Sequence, residues 1–267
     1  MDATLLASCL GAVIGVVLAL TGAGGGVLAI PLLVFGLHLP VQQAAPVGLV
    51  AVGLAAALGA VLGLRQGVVR YRAAALIGLA GVCMAPVGVA AAQRLPAQPL
   101  LAAFALVLGY TAWRMLRIKE PHHLASPLPC QVEQGRVQLT WTRKCARALF
   151  GTGVVSGLLS GLLGVGGGFV IVPALTRHTN LNAVSIQSTS LAVIALVSVS
   201  GVGAAAWQGT VPWAAGVPFA AGAAAGLLVG RQFAQKLNGR AMQVAFAWFA
   251  LGVALLMLAR AAGLLST

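Results

Sequence analysis

Two short glycine runs, Gly22-Ala23-Gly24-Gly25-Gly26 and Gly164-Val165-Gly166-Gly167-Gly168, interrupt otherwise apolar stretches and carry the strongest chemical signal in the sequence. Triple glycine gives backbone freedom and close approach, so each run is a candidate break in a helix. A helix restarting beyond such a break, over 27–37 or 169–175, aims unpaired N–H groups and its positive dipole end back at the break. That is an anion site in principle. Gly22, Gly24, Gly25, Gly26, Gly164, Gly166, Gly167 and Gly168 are therefore candidate binding residues. Pro31 and Pro173 fall several residues inside the restarted segments, where a proline removes a hydrogen bond and kinks a helix. The competing explanation is that the glycines only let helices pack closely.

Gln187, Ser188, Thr189 and Ser190 begin a later apolar span and could lend amide and hydroxyl donors to an oxyanion; the alternative is a helix N-cap at the interface. The equivalent first-half positions read Ala45-Pro46-Val47-Gly48, so such donors come from one half only. Thr21, Ser156 and Ser160 lie beside the breaks, though back-bonding to their own helix is the expected fate of such hydroxyls. No Asp, Glu, Lys or His falls within an expected span, so proton relays and carboxylate sites for sodium are missing, which suits an anion better than a cation. No Ser-His pair, carboxylate pair or metal-ligand set appears in the spans, so neither an enzyme, a metal site nor a cofactor is expected. Cys9, Cys83, Cys130 and Cys145 show no CxxC spacing and imply neither a disulfide framework nor a zinc site. His122 and His123 near Cys130 read as a solvated loop.

The elements that must position these residues follow from composition. Of 267 residues 60% are hydrophobic and only Asp2, Glu120 and Glu133 are acidic, which leaves no polar skin for a soluble domain. Apolar runs recur at 5–35, 44–64, 73–93, 98–117, 148–175, 184–206, 214–230 and 241–259. None alternates polar with apolar as barrel strands do, so the fold class is an all-α polytopic membrane protein. A net charge of +13 would suggest nucleic acid in a soluble protein, but these basic residues flank apolar spans, where they set orientation. The start lacks the basic region of a cleaved signal peptide, so the N-terminus is read as retained.

The chain also repeats at an ungapped offset of 142 residues. Six of the twelve pairs from 22/164 to 33/175 are identical, and Gly11/Gly153, Gly15/Gly157, Gln66-Gly67/Gln208-Gly209, Gly88/Gly230, Gln93/Gln235 and Phe104/Phe246 extend the register. Residues 1–117 are then one membrane repeat, 148–267 the second, and 118–147 a polar linker. If every run crosses once, eleven basic residues face one side and five the other. If the first run of each repeat turns back at its glycines, only Arg94 and Arg260 oppose fourteen others, which obeys the positive-inside rule far better. Residues 5–35 as one helix would reach about 46 Å against roughly 30 Å of hydrocarbon. The expectation is two inverted repeats, each with a glycine-broken or re-entrant first segment and three transmembrane helices, with a cytoplasmic linker and the termini outside the cytoplasm.

The duplicated G-x-GGG-x4-P-x-L pattern, Gly22 to Leu33 and Gly164 to Leu175, resembles the TauE/SafE family of sulfite exporters and related permeases. Ser188-Thr189-Ser190-Leu191 is similar to that family's hydroxyl-rich motif, and Gly67 and Gly209 also fit. The resemblance implies secondary transport of a small sulfur-containing anion or organosulfonate across a bacterial cytoplasmic membrane, without ATP hydrolysis. The partners expected are that solute and the bilayer, not nucleic acid, and a homo-oligomer stays open. A non-conducting membrane anchor that holds another protein by its Gly/Ala faces is the competing function.

Overall fold

The computed structural model describes residues 3–22, 25–117, 130, 142–234 and 239–261. Ten helices account for nearly all of them: α1 (Ala3–Thr21), α2 (Gly25–Gly36), α3 (Val41–Arg65), α4 (Tyr71–Arg94), α5 (Ala97–Arg117), α6 (Arg143–Leu163), α7 (Gly168–His178), α8 (Ala183–Trp207), α9 (Trp213–Ala234) and α10 (Gly239–Ala261). Six of them, α1, α3, α4, α6, α8 and α9, are long and apolar enough to cross a membrane. Eight apolar runs become ten helices because the first run of each repeat splits at its glycines. With 12 and 11 residues, α2 and α7 extend only about 18 Å, too short to span roughly 30 Å of hydrocarbon. The polarity is that of a protein in lipid: Leu79, Leu106, Val199 and Val217 are exposed, while Ser156, Ser160 and Thr189 are buried.

Helix directions follow from which residues meet. Ser8, Ala12 and Val16 of α1 lie against Gly222, Gly226 and Gly230 of α9, so these two helices run parallel. Val47 and Gly59 of α3 meet Gly216 and Leu227 of α9, so α3 runs the same way as both. Since α1 and α3 share a direction, α2 must carry the chain back between them; Gly25 packs on Ile14 and Leu18, and Gly36 on Leu10. In the second repeat Gly153, Gly157 and Gly161 of α6 meet Ile77, Gly81 and Ala85 of α4, and Leu196 and Val197 of α8 meet Gly78 and Gly81. Thus α4, α6 and α8 run together, and α3 opposes α8, as the pairs Gly53 with Ser198 and Gly63 with Ser188 also require. Of the principal contacts, α1 with α9 and α4 with α6 change places when the repeats are exchanged, while α3 with α8 and α5 with α10 each map onto themselves.

Local chemistry repeats as well. After α3, Val68 N–H donates to Gly63 and Gly67 N–H to Leu64; after α8, Thr210 donates to Ala205 and Gly209 to Ala206. Gly67 and Gly209 take left-handed φ values of 69° and 67° to close this double cap. Pro86 inside α4 has no N–H for the carbonyl of Val82, and Ser200 Oγ of α8 donates to that oxygen at 2.8 Å. Ser200→Ala should lower stability in detergent by about 1 kcal/mol, read from denaturant or thermal unfolding, because nothing replaces the donor.

One expectation fails outright. Cys130 and Cys145 form a disulfide, and the Cys130 N–H donates to His178 O at 3.1 Å, which docks this point of the linker on the end of α7. Spacing along the chain could not reveal the pair, because it depends on the linker folding back to where α6 begins and α7 ends. Cys9 and Cys83 are free and exposed. His122, His123 and both linker acids lie outside the described residues.

Candidate functional site

Each break is built by glycines in a backbone conformation that L side chains avoid. α6 ends at Leu163, and Gly164 caps it at φ 69° with its N–H on Ser160 O at 2.8 Å. Gly166 and Gly167 follow at φ 74° and 70°, and α7 starts at Gly168. In the first repeat Gly22 has φ 70° and donates to Leu18 O, and α2 begins at Gly25, one position earlier in the register than α7. Gly24 lies outside the described residues.

The two breaks touch. A Cβ on Gly26 would strike the carbonyl of Val165, and one on Gly48 of α3 would come within 2.8 Å of Gly164 O. A Cβ on Gly166 would meet Ile194 Cγ2 at 2.8 Å, Val52 Cγ1 at 3.0 Å and Ser198 Oγ at 3.8 Å. Val52 and Ile194 each occupy the twelfth position of a 25-residue helix, so this junction sits midway along α3 and α8. Among the described residues, the N–H groups of Val165, Gly166, Gly167 and Gly168 donate to no protein acceptor. Four donors in the turn that leads into a helix, buried at mid-height and unspent, are what an anion can use.

The hydroxyl and amide candidates separate. Gln187 packs on the first break, its Cγ 2.5 Å from where a Gly22 Cβ would stand. Ser188 instead faces Gly63 of α3, and Thr189 Oγ1 accepts the Arg70 N–H at 3.0 Å. Ser190 is buried with its Oγ unpartnered. The N-cap alternative for this segment is overturned: the cap is Asn182, whose side chain accepts the Ser185 N–H, and the four residues sit inside α8. Thr21 back-bonds to Val17 O as expected, but Ser156 Oγ reaches across the break to Gly167 O at 3.3 Å, and Ser160 Oγ has no partner. Pro31 and Pro173 are passed through without ending α2 or α7, and leave the carbonyls of Val27 and Phe169, beside the breaks, without a helical donor.

Sequence reasoning missed Ser198, buried and with an unpartnered Oγ beside the second break. A signal existed: Ser198 follows Gln187 by eleven residues, about three helical turns, on one stripe with Leu191 and Ile194. Also missed was a cavity of about 400 Å³ where α3 begins and α8 ends, with Gln42, Gln43, Gln93 and Thr210 in its walls. At the opposite end the helices are tied together. Arg231 of α9 donates to Gly59 O and Gln66 Oε1 of α3, both at 3.2 Å, beside the Arg70–Thr189 bond.

Six helices of membrane-spanning length around two apposed helix breaks have the architecture of a multi-pass membrane protein, and the class of membrane transporter follows from its relatives. The sulfite exporter TauE/SafE family profile matches residues 7–257, and the chain belongs to that family. It is similar to a "Probable membrane transporter protein" of Xylella fastidiosa strain 9a5c, 29% identical over 198 residues that cover 70% of this chain and 69% of the relative. A protein of the same description from strain Temecula1 is 28% identical over 189 residues, covering 69% and 67%. No solved structure matches.

Proposed function

We propose that this chain is a secondary carrier that moves a small anion, a sulfur oxyanion or an organosulfonate, across the bacterial cytoplasmic membrane by alternating access. The observation that carries the reading is the contact between the two breaks, with the unspent amide donors of the second break at mid-height where, among the described residues, no carboxylate or ammonium competes. The candidate binding set is the glycines of both breaks with Gln187, Ser190 and Ser198; Ser188 and Thr189 hold α8 against α3 and the α3–α4 turn.

The repeats are inverted in this reading, as the opposed directions of α3 and α8 support. Exchanging the repeats exchanges the two faces of the membrane, so one sequence supplies both an outward-open and an inward-open packing. The cavity near Gln42 and Gln93, with Arg231 and Arg70 tying the other end, fits a carrier open on the side that bears Arg94. In the threading with a turned-back first segment fourteen of the sixteen basic residues of the sequence are assigned to the tied side, which supports a cytoplasmic location for it and for the linker. The Cys130–Cys145 bridge favours an oxidising compartment for the linker, but one bridge weighs less than so large an imbalance of basic residues.

Purified protein in proteoliposomes, given a panel of sulfite, sulfate, thiosulfate and alkanesulfonates, should carry at least one of them without ATP. No flux together with a stably copurifying partner would instead make the chain an anchor. A reporter fused at Thr267 should signal from outside the cytoplasm, and a cytoplasmic signal would reject the orientation.

A further inference from the structure

The neutrality of the apposed breaks bears on the charge of the cargo, an inference that rests on the carrier reading above. Its polar groups are the amides of Val165 to Gly168, the neutral side-chain amide of Gln187 and the hydroxyls of Ser156, Ser160, Ser190 and Ser198. Ser156 spends its proton on Gly167 O. Ser160 and Ser198 are 0% and 1% exposed, and neither Oγ has a partner. A buried hydroxyl without an acceptor is costly, so both are poised for one that the protein does not supply.

Full charges stay away. Every Lys, Arg and His of α1 to α9 lies within five residues of a helix end. Arg231 is held on Gly59 O, seven residues along α3 from Val52, about 10 Å by helical rise. Taking an ion out of water costs in proportion to the square of its charge, so a dianion loses about four times what a monoanion loses. The return from neutral donors rises only in proportion to the charge. A site without a fixed cation therefore disfavours the second charge.

We infer that the site takes monoanions, bisulfite or an alkanesulfonate, and rejects sulfate, thiosulfate and the sulfite dianion. Sulfite exchanges between its two charge states near neutral pH, so the carrier's pH dependence belongs to the cargo. As pH falls, the bisulfite share grows and flux at fixed total sulfite rises. Above that equilibrium flux drops about tenfold per pH unit, as the share of a protonated species must. The histidines that flank the restarted helices are His38, two residues beyond α2, and His178, the last residue of α7. Methanesulfonate, a monoanion throughout, separates their effect from the cargo's.

The test is flux into proteoliposomes from pH 6 to about 9 for sulfite, methanesulfonate and sulfate. Expected are sulfite flux falling with pH, methanesulfonate flux level, and sulfate flux at background. Ser198→Ala should weaken the apparent affinity for methanesulfonate by about tenfold or more, with a melting temperature no lower than that of the wild type, because its hydroxyl has no protein partner to lose. Sulfate carried as well as methanesulfonate, sulfite flux rising with pH, or methanesulfonate flux falling in step with sulfite would overturn the inference while leaving an anion carrier. Absence of flux for all three would overturn the carrier reading, and the inference with it.

Discussion

Gly167→Val should reduce anion flux to background while the protein still inserts and purifies as a folded species. At φ 70° a β-branched residue costs about 1–2 kcal/mol for the left-handed conformation alone. Its Cβ would also run into Ser156, whose carbonyl oxygen lies 2.7 Å from that position, and so displace the hydroxyl that bonds Gly167 O. Both effects fall on the turn that exposes the amides of Val165 to Gly168. The seams that hold the bundle, α1 on α9 and α4 on α6, are built from other residues. Gly151→Val is the control, since a Cβ there meets nothing within 4 Å. Flux in proteoliposomes, with size-exclusion elution as the check on folding, separates the two; wild-type flux in Gly167→Val would remove the second break from the mechanism. Gly25, the repeat-equivalent position, is a poorer probe. Its Cβ would press on the backbone of Leu18 at 2.5 Å and Ile14 at 2.7 Å, so a valine there disturbs packing and turn together.

The helices and their breaks were legible because the relevant physics is local or additive. Apolar length fixes a span, a triple glycine permits a break, and summed basic charge chooses between threadings; Gly22 to Gly26 and Gly164 to Gly168 needed nothing more. What a side chain faces was not legible, because it depends on the register between helices far apart in sequence. Gln187 to Ser190 read as one donor cluster, yet successive residues on a helix point about 100° apart. Gln187 therefore meets Gly22, whereas Thr189 meets Arg70 from 119 residues away. Ser198 went unnoticed as one of several serines along the apolar α8, and gained meaning only beside Gly53 and Gly166. The Cys130–Cys145 bridge failed for the same reason, since its partners meet through the packing of α7's end.

Gly157→Val should have the opposite signature, destroying stability rather than flux alone. In lipid no hydrophobic force drives helices together, and close backbone approach is a main source of cohesion. At Gly157 the partner is the backbone of Gly81, whose Cα lies 2.5 Å from where a Cβ would stand, and neither helix has a flexible side chain to yield. Valine must push α6 from α4 along the whole Gly153, Gly157, Gly161 seam, at a cost of about 3 kcal/mol, the upper end for overpacking. Aggregation on purification, or a much lowered melting temperature, is the expected readout, with Gly203→Val on α8 as a control that meets nothing within 4 Å. Glycine thus has two separable uses in this chain. At the seams it lets backbones touch, and its loss unfolds the protein; at Gly164, Gly166 and Gly167 it holds a left-handed turn open, and its loss should silence a protein that remains folded. If Gly157→Val and Gly167→Val behave alike, close packing explains both sets of glycines and the second break has no role of its own.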